Sequence, residues 1–269
     1  MVELQSWVKD IFAHPVTKRP ASPELFQGVG GVIDARVFLK NTQGYSVWEE
    51  GQVGYEGLMK KDRTSVEGYK AEIGYDQPVY QHYSLQGRIL DCGGGAGTVR
   101  EFLSDDVEFI STDPWLHAPF ASSSERKAAY SCLNQPLNFI AATAEFQPFL
   151  AESFDWVHMR SMIDHVQVPD LAILEAKRVL KKGGCILIGL SVEGGKSGVV
   201  TLKEHAKHWV KAGLSSIGID RWEDHHVWHP TYKELLKLIT DNGFFVEDTY
   251  WQPHWNDTVC YICALKPDK

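Results

Sequence analysis

The chain has 269 residues and a formal net charge of −8, with 43% hydrophobic and 23% charged residues. These values are typical of a soluble globular protein with one large domain, or with one domain and an extension. The acidic balance disfavours nucleic acid as a substrate, because nucleic-acid binding usually requires a basic face. A small molecule is therefore the expected substrate.

The sequence gives no indication of a targeting segment or a membrane partner. Residues 1–10 include charged side chains and lack the apolar core of a signal peptide. No stretch approaches the roughly 20 apolar residues of a membrane span. Five cysteines, an odd number without a spacing framework, predict reduced thiols and a cytoplasmic protein.

Residues 1–68 are expected to form an N-terminal extension that is β-rich or irregular. Three prolines between residues 15 and 23, and closely spaced glycines between residues 28 and 57, interrupt any long helical pattern. Residues 65–83 contain four tyrosines and predict a helix that leads into the main domain, residues 69–269. Strands and helices then alternate, which predicts an α/β fold with a parallel sheet.

The first strand of this domain ends in a glycine-rich turn. Residues 88–98 read R-I-L-D-C-G-G-G-A-G-T, an apolar run that ends at Asp91 and is followed by Gly93, Gly95 and Gly97. Glycine allows a ligand to approach bare backbone, and the start of a helix offers free N–H groups. The turn therefore predicts a site for a nucleotide-like molecule.

The glycine spacing differs from two common nucleotide motifs. The dinucleotide fingerprint G-x-G-x-x-G would place its third glycine at Thr98, and a P-loop would require a lysine after the glycines. A second strand, over residues 107–112, ends at Asp113, which is 22 residues after Asp91. An acid at this distance hydrogen-bonds a ribose diol in related folds, so Asp113 is a candidate ribose ligand.

Three segments make the chain similar to the class I S-adenosylmethionine-dependent methyltransferases. Residues 89–97 match the family's first motif, apolar-apolar-acid-x-G-x-G-x-G. T-A-E-F-Q-P-F at 143–149, followed by S-F-D-W-V, resembles the family's D-A-E-x-L-P-F and S-F-D-x-V. R-V-L-K-K-G-G at 178–184 is similar to the stretch before the family's fifth strand. The resemblance implies a Rossmann-like, seven-stranded, mostly parallel sheet with a reversed final strand.

The resemblance also implies S-adenosyl-L-methionine as the cofactor and methyl transfer to a small molecule, most favourably at a hydroxyl oxygen. Thr143 and Ala144 take the positions that contact adenine in the family, and Thr143 stands where the family usually has an acid. The residues expected to bind the cofactor are Asp91, Gly93, Gly95, Gly97, Asp113, Thr143, Ala144, Met159 and Tyr75.

An oxygen acceptor needs a base near the carboxyl edge of the sheet, just after the fourth strand. Asp164 and His165 are the candidates, and the unperturbed pKa of about 6.5 suits a histidine to this task. The family often carries histidine at one or both positions. The alternative is a histidine that caps the next helix or packs under it.

Residues 221–229 read R-W-E-D-H-H-V-W-H, and three histidines with an acid suggest a metal site. Pro230 and a capping box that begins at Thr231 favour a loop instead, so no metal is expected. This loop falls in a substrate-facing insertion at about residues 191–230. The candidate substrate residues are His158, Arg160, Trp222, His225, His226, Trp228 and His229.

Two other functions are consistent with a nucleotide-like ligand. A nicotinamide-dependent oxidoreductase or epimerase is disfavoured by the glycine spacing and by the reversed last strand. A non-catalytic cofactor-binding scaffold is supported only by the departure at Thr143 and by the uncertain base.

Overall fold

The computed structural model describes residues 2–42, 45–199 and 226–268. These residues include an eight-stranded sheet with the strand order β1-β4-β3-β2-β5-β6-β8-β7. Neighbouring strands from β1 to β6 are parallel, and β8 runs antiparallel to both β6 and β7. The strands are β1 (Ile33–Asp34), β2 (Arg88–Cys92), β3 (Glu108–Asp113), β4 (Phe139–Ala141), β5 (Phe154–Arg160), β6 (Leu180–Ser191), β7 (Phe245–Trp251) and β8 (Val259–Leu265).

Six α-helices lie within the described ranges. None of them combines the length and the apolar composition that crossing a membrane requires. The capping box predicted at Thr231 is confirmed: its side chain accepts from the backbone N–H of Glu234, and the Glu234 side chain bonds back. The helices are α1 (Ser6–Ile11), α2 (Tyr45–Lys61), α3 (Val66–Tyr83), α4 (Ser124–Ala129), α5 (Pro169–Val179) and α6 (Tyr232–Asp241).

The sheet order creates a crevice at the centre of the domain. From β2 the chain builds outward to β3 and β4 on one side, and from β5 outward to β6 on the other. Ligands of open α/β sheets bind at such a reversal, outside the carboxyl ends of the strands. Ile89, Leu90 and Val157 are fully buried, so β2 and β5 form a rigid floor under this crevice.

The predicted sheet is confirmed, with one more strand than expected. Seven strands and a reversed last strand follow the sequence pattern, and the eighth is β1, contributed by the extension. The helix predicted after the glycines is a five-residue 3-10 turn, Thr98–Phe102. After Leu103 come Ser104, Asp105 and Asp106, and these residue types favour turns over helix continuation.

The N-terminal extension differs from the β-rich or irregular segment that was expected. Residues 45–61 form a helix although three glycines cost it about 1 kcal/mol each in helix propensity. Trp48 of this helix is buried and lies 5.4 Å, between ring centroids, from Phe38. Phe12 and Ile33 belong to the same hydrophobic core as the strands. Tertiary burial thus outweighs local propensity.

A buried carboxylate on α5 joins the extension to the domain. The Glu175 side chain accepts from the Gln147 backbone N–H at 3.1 Å and from Arg178 Nε at 2.8 Å. It also forms an ion pair with Lys18 of the extension. Because two cations and a backbone donor share one carboxylate, its loss would leave several charged or polar groups unpaired.

We therefore expect Glu175→Gln to lower the free energy of unfolding by roughly 2–3 kcal/mol, the contribution of hydrogen bonds to charged groups. Urea denaturation followed by circular dichroism measures this change. Asp241→Asn is the matched control, because Asp241 forms an exposed ion pair with Lys237 and exposed pairs contribute little. An equal loss in the two variants would contradict the role given to Glu175.

Candidate active site

The glycine turn after β2 adopts the backbone that its spacing predicts. Gly93, Gly95 and Gly97 have φ values of 71°, 54° and 70°, in the left-handed region that favours glycine. The strictest steric requirement nevertheless falls on Gly94, which occupies a variable position of the motif. A Cβ there would lie 2.0 Å from Oδ2 of Asp91. The turn therefore wraps closely around the Asp91 carboxylate.

Asp91 is the first member of a buried hydrogen-bonded chain. Its Oδ1 lies 2.7 Å from Nδ1 of His158, and Nε2 of His158 lies 3.1 Å from the Tyr80 hydroxyl. A neutral imidazole satisfies every group if Nδ1–H donates to the carboxylate and Nε2 accepts from tyrosine. His158 is buried within the sheet and also lines the cavity beside the turn.

Asp113 lies at the carboxyl end of β3 and faces the same turn. Its Oδ2 accepts from the Gly95 backbone N–H at 3.1 Å, and its Oδ1 accepts from the Trp115 backbone N–H at 2.8 Å. Burial raises the pKa of this carboxyl to about 6, although the two backbone donors oppose the shift. The position agrees with the spacing argument that singled it out.

A cavity opens between the glycine turn, the end of β5 and helix α4. Arg160, at its edge, pairs with the buried Asp76 on α3 at 2.9 Å. The sequence analysis did not identify Arg126, because its only signal is its position after Ser123, the serine that caps α4. Its Nε is buried and has no hydrogen-bond partner within the described ranges. The lining residues are Tyr80, Asp91, Gly93, Gly94, Gly95, Ala96, Thr98, Val99, Trp115, Ala118, Ser122, Arg126, His158 and Arg160.

Six of the nine predicted cofactor residues do not line this cavity: Gly97, Asp113, Thr143, Ala144, Met159 and Tyr75. Thr143 and Ala144 are buried at the end of β4, where the Thr143 hydroxyl donates to the Val37 carbonyl of the extension at 2.9 Å. Met159 is 1% exposed and belongs to the hydrophobic core. The Tyr75 ring stacks on His254 at a centroid distance of 3.3 Å. The extension, not foreseen at this position, covers the site beside Thr143.

The candidate base residues lie in a 3-10 turn after β5. Asp164 is buried, and burial raises its pKa. Its Oδ1 lies 4.0 Å from Nε2 of His165, and its Oδ2 lies 3.5 Å from Nε2 of His226. The ring centroids of His165 and His226 are 4.3 Å apart, and those of His226 and His229 are 5.1 Å apart. One carboxylate and three imidazoles are therefore grouped here.

The backbone fixes this group in place. The Asp164 carbonyl accepts from the N–H groups of Val227 and Trp228, at 2.8 and 3.2 Å. Trp228 also packs against the hydrophobic core. These contacts hold residues 226–228 against the turn that contains Asp164. The other two predicted substrate residues, Trp222 and His225, lie outside the described residues.

Comparison with known proteins supports the resemblance to methyltransferases. Residues 90–188 match the family model of the methyltransferase domain. The ubiquinone/menaquinone biosynthesis C-methyltransferase of Agrobacterium fabrum is 34% identical over 103 residues, which are 38% of this chain and 40% of that protein. An uncharacterized protein of Methanocaldococcus jannaschii is 41% identical over 155 residues, which are 57% of this chain and 60% of that protein. The chain thus spans less than two thirds of the length of either relative.

Solved structures share the fold. A methyltransferase of Thermotoga maritima described as S-adenosylmethionine-dependent superposes with a TM-score of 0.52 at 19% identity, over 83% of this chain and 100% of that chain. The glycine turn, the antiparallel last strand and the family match agree with one another. The resemblance of the sequence to the class I S-adenosylmethionine-dependent methyltransferases is confirmed, and the family match covers residues 90–188.

The fit of the glycine turn around Asp91 can be tested by substitution. We expect Gly94→Ala to lower the free energy of unfolding by about 1–3 kcal/mol, as overpacking does, because the new methyl group would displace the carboxylate. The quantity is measured by urea denaturation.

Gly74→Ala is the matched control for this substitution. Gly74 lies within α3, and a Cβ there would meet nothing within 4 Å. This variant should gain up to about 1 kcal/mol, because alanine is the better helix former. Unchanged stability in Gly94→Ala would show that the turn has room for a side chain.

Proposed function

We propose that this protein transfers the methyl group of S-adenosylmethionine to a hydroxyl oxygen of a small-molecule acceptor. The observation that carries the proposal is the grouping of Asp164, His165 and His226 beside the glycine turn. Met162 links the two features, because its Cβ lies 2.7 Å from where a Cβ of Gly93 would be. The turn that carries Asp164 and His165 thus contacts the glycine turn through Met162.

The residues around the cavity fit the cofactor. Asp113 would accept from the ribose hydroxyls, as an acid at this strand end does in related folds. Arg126 would pair with the methionine carboxylate, which supplies a partner for its buried Nε. The backbone of the turn from Gly93 to Gly97 gives the ligand close access. At the adenine end Ala144 and the extension beside Thr143 would form the wall, since the Thr143 hydroxyl is already engaged.

The bound cofactor supplies an electrophilic methyl group on a sulfonium. The protein must then align the acceptor with it, and such alignment can supply roughly 7–11 kcal/mol of the barrier. A hydroxyl oxygen becomes a good nucleophile when its proton leaves. Burial raises the pKa of Asp164, so its carboxylate is a stronger base than an ordinary exposed one.

A carbon acceptor is the second candidate. The Agrobacterium fabrum relative is named as a C-methyltransferase. An enolisable carbon acceptor also loses a proton, so the same base would serve either reaction. The atom that receives the methyl group distinguishes the two.

The reaction is tested with S-adenosylmethionine labelled with carbon-13 at the methyl group and a panel of phenols, sugars and enolisable carbonyl compounds. We expect a methyl ether, identified by NMR of the product. Asp164→Asn and His165→Ala should each lower turnover about 100-fold or more, the contribution of a general base, without changing the affinity for S-adenosylhomocysteine.

His82→Ala is the control, because His82 is exposed and pairs with Asp248, an exposed carboxylate on β7. Its turnover should equal that of the parent protein. Normal turnover in both base variants would exclude proton removal by this turn. A product labelled at carbon would favour the second candidate.

The role of Asp113 predicts a pH dependence of cofactor binding. The ionised carboxylate is the better acceptor for ribose hydroxyls, and its pKa in the free protein is about 6. The affinity for S-adenosylhomocysteine should therefore rise as the pH increases through this value. Asp113→Asn should weaken binding about 10–100-fold at neutral pH and flatten the profile.

Isothermal titration calorimetry between about pH 5 and pH 7.5, the range around this pKa, measures both effects. Asp248→Asn is the control, since this carboxylate lies on the exposed strand β7 beside His82. A parent profile that Asp113→Asn leaves unchanged would assign the pH dependence to another group.

A further inference from the structure

We propose that Asp164, His165 and His226 form a binding site for one divalent transition-metal ion, such as Mn²⁺ or Zn²⁺. The sequence predicts no metal, because Pro230 and the capping box at Thr231 favour a loop for the histidine-rich segment that contains His226. The fold removes that objection by bringing the loop to the turn. The resulting set of one carboxylate and two imidazoles is a recognised ligand combination for such ions.

The distances between the donor atoms suit an ion. One donor atom from each residue can be chosen so that all three lie within 4.8 Å of one another. Bonds of about 2.0–2.2 Å to a shared ion would place neighbouring donors roughly 3–3.5 Å apart. The 3.5 Å between Asp164 and His226 already meets this value, and the 4.0 Å to His165 is close to it. Small side-chain movements would complete the site.

The environment of Asp164 provides a second, independent observation. Its Oδ1 is buried and has no hydrogen-bond partner among the described residues. A buried carboxylate oxygen without a partner is costly, and an ion would satisfy it. The two imidazole side chains are 37% and 40% exposed. They leave one side of the site open for water or another ligand.

The backbone supports the same assignment. The hydrogen bonds from Val227 and Trp228 to the Asp164 carbonyl fix the position of His226 relative to the turn. Preorganised ligands lower the entropy that ion binding would otherwise cost. His229, next to His226, is available as a neighbour that orients the second ring.

The ligand types indicate which ions bind. Imidazole nitrogen suits zinc and iron, and the carboxylate also suits manganese, whereas magnesium prefers oxygen ligands and strict octahedral geometry.

The role of the ion rests on the proposed function. A bound ion would hold the acceptor hydroxyl and lower its pKa, so that the proton leaves to solvent. The oxygen would then form a bond to the methyl carbon as the carbon–sulfur bond breaks, giving a methyl ether and S-adenosylhomocysteine. Asp164 and His165 would act as ligands in this state.

The test uses the full chain, stripped of metal with a chelator and then titrated with Mn²⁺ by calorimetry and with Co²⁺ by visible absorption. We expect one ion per chain and Co²⁺ bands of imidazole and carboxylate ligation. Loss of even a residue that only orients a metal ligand typically costs about 10–100-fold in affinity. Asp164→Asn and His226→Ala should therefore each weaken binding by at least about tenfold.

Two controls separate this site from other candidates. His82→Ala removes a histidine that lies 2.6 Å from a single carboxylate, Asp248, and should leave binding unchanged. Cys185→Ser disrupts a second cluster of Cys185, Glu247 and Cys263, which could also take an ion. This variant should likewise bind as the parent does.

Several outcomes would overturn the proposal: no ion uptake, equal affinity in His226→Ala and the parent, or a Co²⁺ spectrum with a thiolate band that Cys185→Ser removes. His226 is partly exposed, so its variant should fold even if Asp164→Asn does not, and circular dichroism verifies this. Loss of turnover in the base variants without any ion binding would leave the proposed function intact. Ion binding without methyl transfer would support the metal site and contradict the proposed function.

Discussion

The Asp91 carboxylate is the group around which the site is built. It lies at the end of β2, in register with His158 on the neighbouring strand β5, and the two side chains bond at 2.7 Å. Its other oxygen fills the space that a side chain at Gly94 would need. Because a buried carboxylate is costly without partners, the central strands, the glycine turn and Tyr80 of α3 must all keep their places.

This arrangement determines the shape of the cavity. One wall is the turn itself, and the Asp113 carboxylate lies beside it, where it accepts from the Gly95 backbone N–H at 3.1 Å. The extension adds two further contacts: β1 pairs with β4, and the Val37 carbonyl accepts a hydrogen bond from the Thr143 hydroxyl. The described residues of the extension therefore belong to the same structural unit as the domain, and the surroundings of Thr143 depend on both.

Features set by local sequence could be predicted, and those set by distant contacts could not. The glycine turn and the capping box at Thr231 depend on residues close in the chain, so their patterns sufficed. The reversed strand β8 was predicted from the family resemblance. Helix α2 was missed because burial of Trp48 outweighs its glycines. Gly94 was missed because a spacing motif does not record the space beside Asp91. The approach of His226 to Asp164 spans 62 residues, and no local pattern contains it.

Asp164 shows why one cluster supports both a base and a metal ligand. Burial disfavours its charge, while the nearby histidines favour it. Such a carboxylate is stabilised either by taking a proton or by binding a cation, because each neutralises the buried charge. It cannot do both at once, since a lone pair that coordinates an ion does not accept a proton. The acceptor's proton would therefore leave by different routes in the two states, to the Asp164–His165 pair without an ion and to solvent with one. The same geometry underlies both, because the hydrogen bonds of Val227 and Trp228 hold His226 against the turn in either case.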